Sequence, residues 1–117
     1  MAGDRGRSSN FIYGSAYAGL IAFLEGLAAY GFRQGIFVQI IKPGFVDTPM
    51  TAKIHEARAS VLGITPQESL ARMAARIPLG RVETPEDVAG AVSFLCSPDA
   101  AYITGQALNV CGGMEMN

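Results

Sequence analysis

The segment Ile36-Phe-Val-Gln-Ile-Ile41, closed by Pro43-Gly44, constrains the fold more than any other part of the sequence. It is almost continuously apolar and rich in β-branched residues. A strand with one wet face alternates between apolar and polar side chains, whereas a strand covered on both faces does not. The segment therefore predicts a parallel strand with helices on both sides. Gln106-Ala-Leu-Asn-Val110, followed by Gly112-Gly113, reads as a second short strand. Helical sequence lies between the two, and strands joined through helices pair in parallel. Two parallel strands are too few for an independent sheet. The chain thus reads as α/β, the later half of a doubly wound parallel sheet.

The helices are set by apolar spacing and by their end signals. Phe11, Ala16, Leu20, Phe23, Leu24 and Leu27 fall at helical intervals, which predicts a helix from about Asn10 to Phe32. Gly14, Gly19 and Gly26 lie inside it and each costs about 1 kcal/mol against Ala, so close approach of another backbone is expected there. Residues 48–77 read as helical pieces. Thr65-Pro-Gln-Glu68 is a capping box with proline at the first helical position. Gly63 closes the piece before it and Pro78 the piece after. Thr84-Pro-Glu-Asp87 starts a further helix, its acids at the positive end of the helix dipole. Val88, Ala91, Val92 and Leu95 are expected to form that helix's buried stripe, and Ser97-Pro98-Asp99 ends it.

Composition excludes several classes of function. Half of the residues are apolar and 16% are charged, which is not the balance of a disordered chain. A formal net charge of -1 gives no general attraction to nucleic acid or to an anionic membrane. No uninterrupted apolar run reaches the roughly 18 residues of a membrane span, and the polar first residues do not read as a signal peptide. Cys96 and Cys111 read as two buried free thiols in a reducing cytoplasm. His55 has no second ligand beside it in sequence, so it reads as a surface or pocket-edge residue and no metal site is expected. Met50, Ile54, Leu62 and Ile64 either line an apolar pocket or pack on the core.

Five stretches follow one another in a specific order: Tyr13-Gly-Ser-Ala-Tyr17, Lys42-Pro-Gly-Phe-Val-Asp-Thr-Pro-Met50, Ile77-Pro-Leu-Gly-Arg81, Thr84-Pro-Glu-Asp-Val88, and Ile103-Thr-Gly-Gln106 leading to Asn109-Val-Cys-Gly-Gly113. Together they resemble the short-chain dehydrogenase/reductase family, and the resemblance covers essentially all 117 residues. It implies the C-terminal half of a Rossmann-like sheet, one partial domain over residues 1–117. It also implies NAD or NADP as cofactor, and hydride exchange between nicotinamide and a small-molecule carbonyl or alcohol. Tyr13 matches the family's catalytic tyrosine, which moves a proton at the substrate oxygen. The Pro43, Gly44, Phe45 and Val46 backbone would contact the nicotinamide amide, and Thr48 would donate to the amide or a phosphate.

The sequence also departs from that pattern. The family's lysine, four residues after the tyrosine, is replaced by Tyr17. A phenol has a pKa of about 10, and a three-unit shift takes about 4 kcal/mol of differential interaction. A second phenol cannot supply this as a cation would. Arg5, Arg7 or Lys42 are the alternative cations. Ser8 and Ser9 lie too near Tyr13 to be the family's catalytic serine and, with Asn10, read as helix caps. The glycine-rich phosphate loop has no counterpart in the sequence. The chain by itself is therefore expected to be inactive. It would act within an oxidoreductase-type domain, as a homo-oligomer or with a missing N-terminal half. The alternative is a non-catalytic remnant that works by packing or oligomerisation with a partner.

Overall fold

The structure is a computed structural model and describes residues 11–115. Its elements in chain order are α1 (Phe11–Gly31), β1 (Ile40–Pro43), α2 (Pro49–Leu62), α3 (Pro66–Ala74), α4 (Pro85–Leu95) and β2 (Ala107–Val110). Single 3-10 turns cover Phe32–Gln34 and Pro98–Ala100. β1 and β2 pair. The Ile40 amide donates to the Gln106 carbonyl and the Gly44 amide to the Val110 carbonyl, each at 2.9 Å. The constant offset of 66 residues is that of a parallel pair. The α/β arrangement expected from the two apolar runs is present.

The chain divides into two compact units, Met1–Lys42 with Val92–Leu108, and Pro43–Ala91 with Asn109–Asn117. In the first unit, α1 ends at Gly31 and the chain turns through Gly35, whose amide donates to Phe32. The strand begins at Ile40, four residues later than the apolar run suggested. Residues 36–39 make other bonds instead. The Val38 amide donates to Thr104 Oγ1 at 3.2 Å, the Val38 carbonyl accepts from Gly105, and the Gln39 amide group donates to the Ile103 carbonyl. Extended backbone held by side chains carries no ladder, and Ile36 and Phe37 stay exposed. The two-sided cover that the run calls for is not supplied by the described residues.

α1 shows the same shortfall. Only Ala28 and Gly31 of this helix are buried, while Phe11, Ile12, Leu20, Phe23 and Tyr30 are exposed. Gly19 and Gly26 face open space, so the close backbone approach expected of them is absent among the described residues. The stretch Phe11–Gln34 has a mean hydropathy of 1.4 and is long and apolar enough to cross a membrane by length and composition. α4 has no buried residue; Val92 and Cys96 are exposed. The stripe and the buried Cys96 expected from the sequence are both corrected. A pattern marks which side chains a helix offers, and burial needs a surface to receive them.

The second unit holds the better-packed residues Ala59, Met73, Ile77 and Cys111. Thr48 caps α2. Its hydroxyl accepts from the Thr51 amide at 3.4 Å, and Thr51 Oγ1 accepts from the Thr48 amide at 2.8 Å. Gly63 ends that helix, and Thr65 and Glu68 form the expected capping box on α3. Met50, Ile54 and Leu62 are exposed rather than packed. Of the two readings of His55, surface or pocket edge, the surface one is corrected: His55 lines a pocket with Asp47, Ala52 and Leu70, is 5% exposed, and its Nδ1 lies 3.0 Å from Ser69 Oγ, itself 2% exposed. No other bond to the Ser69 hydroxyl is present among the described residues. Which of the two groups donates is set by the imidazole tautomer. This polar link joins α2 to α3. Replacing Ser69 by Ala should leave a buried ring nitrogen without a partner. Urea unfolding is expected to show a loss of about 1–3 kcal/mol.

Candidate functional site

In the first unit, one helical turn on α1 brings Tyr13 and Tyr17 together. Their ring centroids are 4.5 Å apart and the rings are tilted by 40°. The i,i+4 spacing puts both on one helix face. Tyr13 is 49% exposed and Tyr17 42%. Donating towards Tyr17 pushes the Tyr13 phenol above its ordinary value of 10.0, with desolvation adding to the rise. This is opposite to the direction that proton transfer near neutral pH requires. The causes of this rise are Tyr17 and burial, with no cation among them. Arg5, Arg7, Ser8, Ser9 and Asn10 lie outside the described residues.

In the second unit, the chain leaves β1 through Pro43 and runs to the start of α2. Gly44 sits where nothing larger fits. A Cβ there would lie 2.9 Å from the Cys111 Cα and 3.2 Å from Glu83 Oε2. The first contact is with backbone and cannot move aside. The Gly44 amide is shared by two acceptors, the Val110 carbonyl at 2.9 Å and Glu83 Oε2 at 2.6 Å. Glu83 also brackets the loop through its backbone. Its amide donates to the Phe45 carbonyl at 3.0 Å, and its carbonyl accepts from the Asp47 amide at 2.7 Å. The Val46–Glu83 pairing is a parallel bridge.

Peptide groups in such a segment point alternately to opposite sides. With Phe45 C=O and Asp47 N–H turned towards Glu83, the Val46 peptide groups face away. The Thr51 hydroxyl donates towards the carbonyls of Val46 and Thr48, 2.8 Å from each. The Val46 amide has no acceptor among the described residues. Of the loop residues named from the sequence, Val46 thus offers a donor. Gly44 is committed, Pro43 has no N–H to give, and the Phe45 carbonyl is taken. Thr48 keeps a hydroxyl within 3.2 Å of Thr51 Oγ1 while capping α2. Among the described residues, no glycine-rich strand-to-helix turn is present to take a pyrophosphate.

Glu83 was not singled out by sequence reasoning. It follows Arg81 in a polar turn, with nothing in its neighbours to foretell burial, yet it is 7% exposed. Burial raises its carboxyl above the usual range, against the lowering effect of the Gly44 amide. Asp87 has the opposite fate. A two-pronged bond to Arg81, at 2.6 and 2.8 Å, and the Thr84 amide hold it well below the usual carboxylate range. The Thr84 start signal is present as expected. Ile77-Pro-Leu-Gly80 turns against Gly112, where a Cβ would come within 2.6 Å of Ile77 Cγ2. The Leu79 amide donates to the Gly112 carbonyl at 3.1 Å.

A family model described as enoyl-(acyl carrier protein) reductase matches residues 1–115. A putative ketoacyl reductase of Streptomyces coelicolor is 40% identical over 102 residues, covering 87% of this chain and 39% of that protein. The 3-oxoacyl-(acyl-carrier-protein) reductase FabG of Escherichia coli is 38% identical over 117 residues, covering 99% and 43%. Among solved structures, an actinorhodin polyketide ketoreductase with NADPH superposes with a TM-score of 0.86 at 37% identity, over 97% of this chain and 43% of that one. Sorbitol-6-phosphate 2-dehydrogenase SrlD from Erwinia amylovora gives 0.89 at 33% identity, over 99% and 46%. The chain spans less than half the length of each of these relatives.

Glu83 gives a pH dependence with a definite sign. Its folded pKa is raised, so its contribution is fully present below the unfolded value of about 4.3. It is lost as pH rises through the folded value. Denaturant unfolding is expected to show stability falling across that window, and Glu83→Gln should flatten the fall. Asp87, depressed in the fold, titrates below this window and leaves it clear.

Proposed function

The chain belongs to the short-chain dehydrogenase/reductase family, and from that premise we propose that it is the tyrosine-bearing, nicotinamide-side portion of an NAD(P)-dependent carbonyl reductase. Residues 1–117 form one partial domain in this reading. The names of its relatives favour a 3-oxoacyl carbonyl as substrate and NADPH as cofactor. The dinucleotide, when bound, supplies a hydride to the carbonyl carbon. The Val46 amide and the Thr48 hydroxyl orient the nicotinamide amide, with Pro43, Gly44 and Phe45 shaping the loop that presents them. Tyr13 gives the proton to the carbonyl oxygen, leaving an alcohol.

Supporting the second half of the proposal, that this chain is inactive alone, is the Tyr13–Tyr17 pair. The family's lysine favours the phenolate form, whereas Tyr17 disfavours it. A donor whose pKa moves away from neutrality slows proton transfer in both directions of the reaction. The non-catalytic alternative has its own observation, the broad apolar exposure of α1. A homo-oligomer or a separate N-terminal half would cover such a face. A cytoplasmic setting accords with free thiols at Cys96 and Cys111.

Calorimetric titration of the chain with NADPH is expected to give no measurable heat, and the chain should not reduce a 3-oxoacyl thioester. Micromolar affinity would overturn the inactive reading. Tyr17→Lys is expected to move the Tyr13 phenol below 10, read from ring carbon shifts by NMR. An unmoved value would show that the lysine position does not control Tyr13 here.

A further inference from the structure

The backbone groups that lead into β1 and run along it divide into two sets. Val38 and Ile40 turn towards β2: the Val38 amide meets Thr104, its carbonyl meets Gly105, and the Ile40 amide meets Gln106. Successive residues of an extended chain face opposite edges. Phe37, Gln39 and Ile41 therefore present their N–H and C=O groups on the other edge. The sheet is two-stranded, and these groups have no partner among the described residues. Open edges are ordinarily guarded by a lysine, a proline or a bulge. None stands between Phe37 and Ile41, where the side chains are Phe, Val, Gln, Ile and Ile. Phe37 is 55% exposed. Pro43, with no N–H to give, closes the run.

We propose that this edge is an interface between two copies of the chain, which add β1 to β1 in antiparallel pairing about a two-fold axis at Gln39. The register follows from the free groups. The axis sets Gln39 opposite its own copy and Phe37 opposite Ile41 of the second copy. Each opposed pair exchanges two N–H···O bonds, as the antiparallel ladder requires. A parallel ladder needs facing groups staggered by one residue, which a two-fold copy of the same edge does not offer. Phe against Ile is a favourable cross-strand pair. With no charge from Phe37 to Ile41, the two copies meet without like-charge repulsion. Four strands then replace two, a number that an independent sheet can stand on. The inference gives the homo-oligomer a surface and a register. It is independent of the reductase reading, since it uses neither Tyr13 nor the Val46 amide.

The test is sedimentation equilibrium of the chain, with amide hydrogen exchange measured across the same concentrations. A dimer is expected. Exchange at Phe37, Gln39 and Ile41 should slow at least about tenfold as the dimer fills. Phe37→Lys puts a charge into both ends of the interface and should return the chain to monomer. Ile41→Pro removes one outward N–H and none of the β1–β2 bonds, and should do the same; if it fails to fold, Phe37→Lys decides alone. Phe23→Lys, on the exposed surface of α1, should leave the dimer intact. A monomer at every concentration in the unaltered chain would overturn the proposal. So would association that survives Phe37→Lys, loss of the dimer with Phe23→Lys, or a dimer whose Phe37, Gln39 and Ile41 amides exchange as fast as in the monomer.

Discussion

The Gly44 amide is the point on which the second unit depends. It closes the β1–β2 ladder through Val110 and receives the Glu83 carboxylate in the same place. There is no space for a side chain, because the Cys111 backbone already occupies it. From this one contact the path of the loop follows. Glu83 is brought beside the strand end, its backbone brackets Phe45 and Asp47, and the Val46 peptide is left facing the other way. Thr51 then takes the Val46 carbonyl, so the amide alone remains to offer. An unpaired donor is left when its neighbours are satisfied.

The first unit presents the other half of the chemistry in an altered form. A tyrosine stands on an open helix face, and one turn on is a second tyrosine where the family carries a cation. The two rings lie 4.5 Å apart and tilted by 40°, and the Tyr17 neighbour raises the Tyr13 pKa, which weakens the acid. Orientation and proton affinity are separable demands on a catalytic group. In this pair the Tyr17 neighbour raises the Tyr13 pKa, against the second demand. The helix bearing them is apolar on nearly every side, and its cover must come from outside the described residues.

Much of the architecture was legible in the sequence because it is encoded locally. The two apolar runs gave the parallel pair, and Thr65-Pro-Gln-Glu68 and Thr84-Pro-Glu-Asp87 gave two helix starts that the structure carries. What was not legible depended on contacts distant in sequence. His55 reads as a surface or pocket-edge residue, and its burial against Ser69 shows only once α3 places that hydroxyl on its ring. The early part of the apolar run, Ile36–Gln39, lost its strand character to bonds with Ile103 and Thr104. Thr48 capping through Thr51 escaped notice because the usual box has Glu or Gln at that place. The resemblance names Pro43–Thr48, but which peptide groups of that loop are bonded within the fold could not be read from it. Glu83, which decides it, carries no signal in its own neighbourhood.

Amide hydrogen exchange at two neighbouring positions bears most directly on this account. The Gly44 amide, bonded twice and buried against Cys111, is expected to be among the slowest in the second unit, and the Val46 amide to exchange at nearly its free-peptide rate. Val46 protected as strongly as Gly44, or Gly44 exchanging as fast as Val46, would mean that the loop is not held by Glu83 and presents no donor of its own.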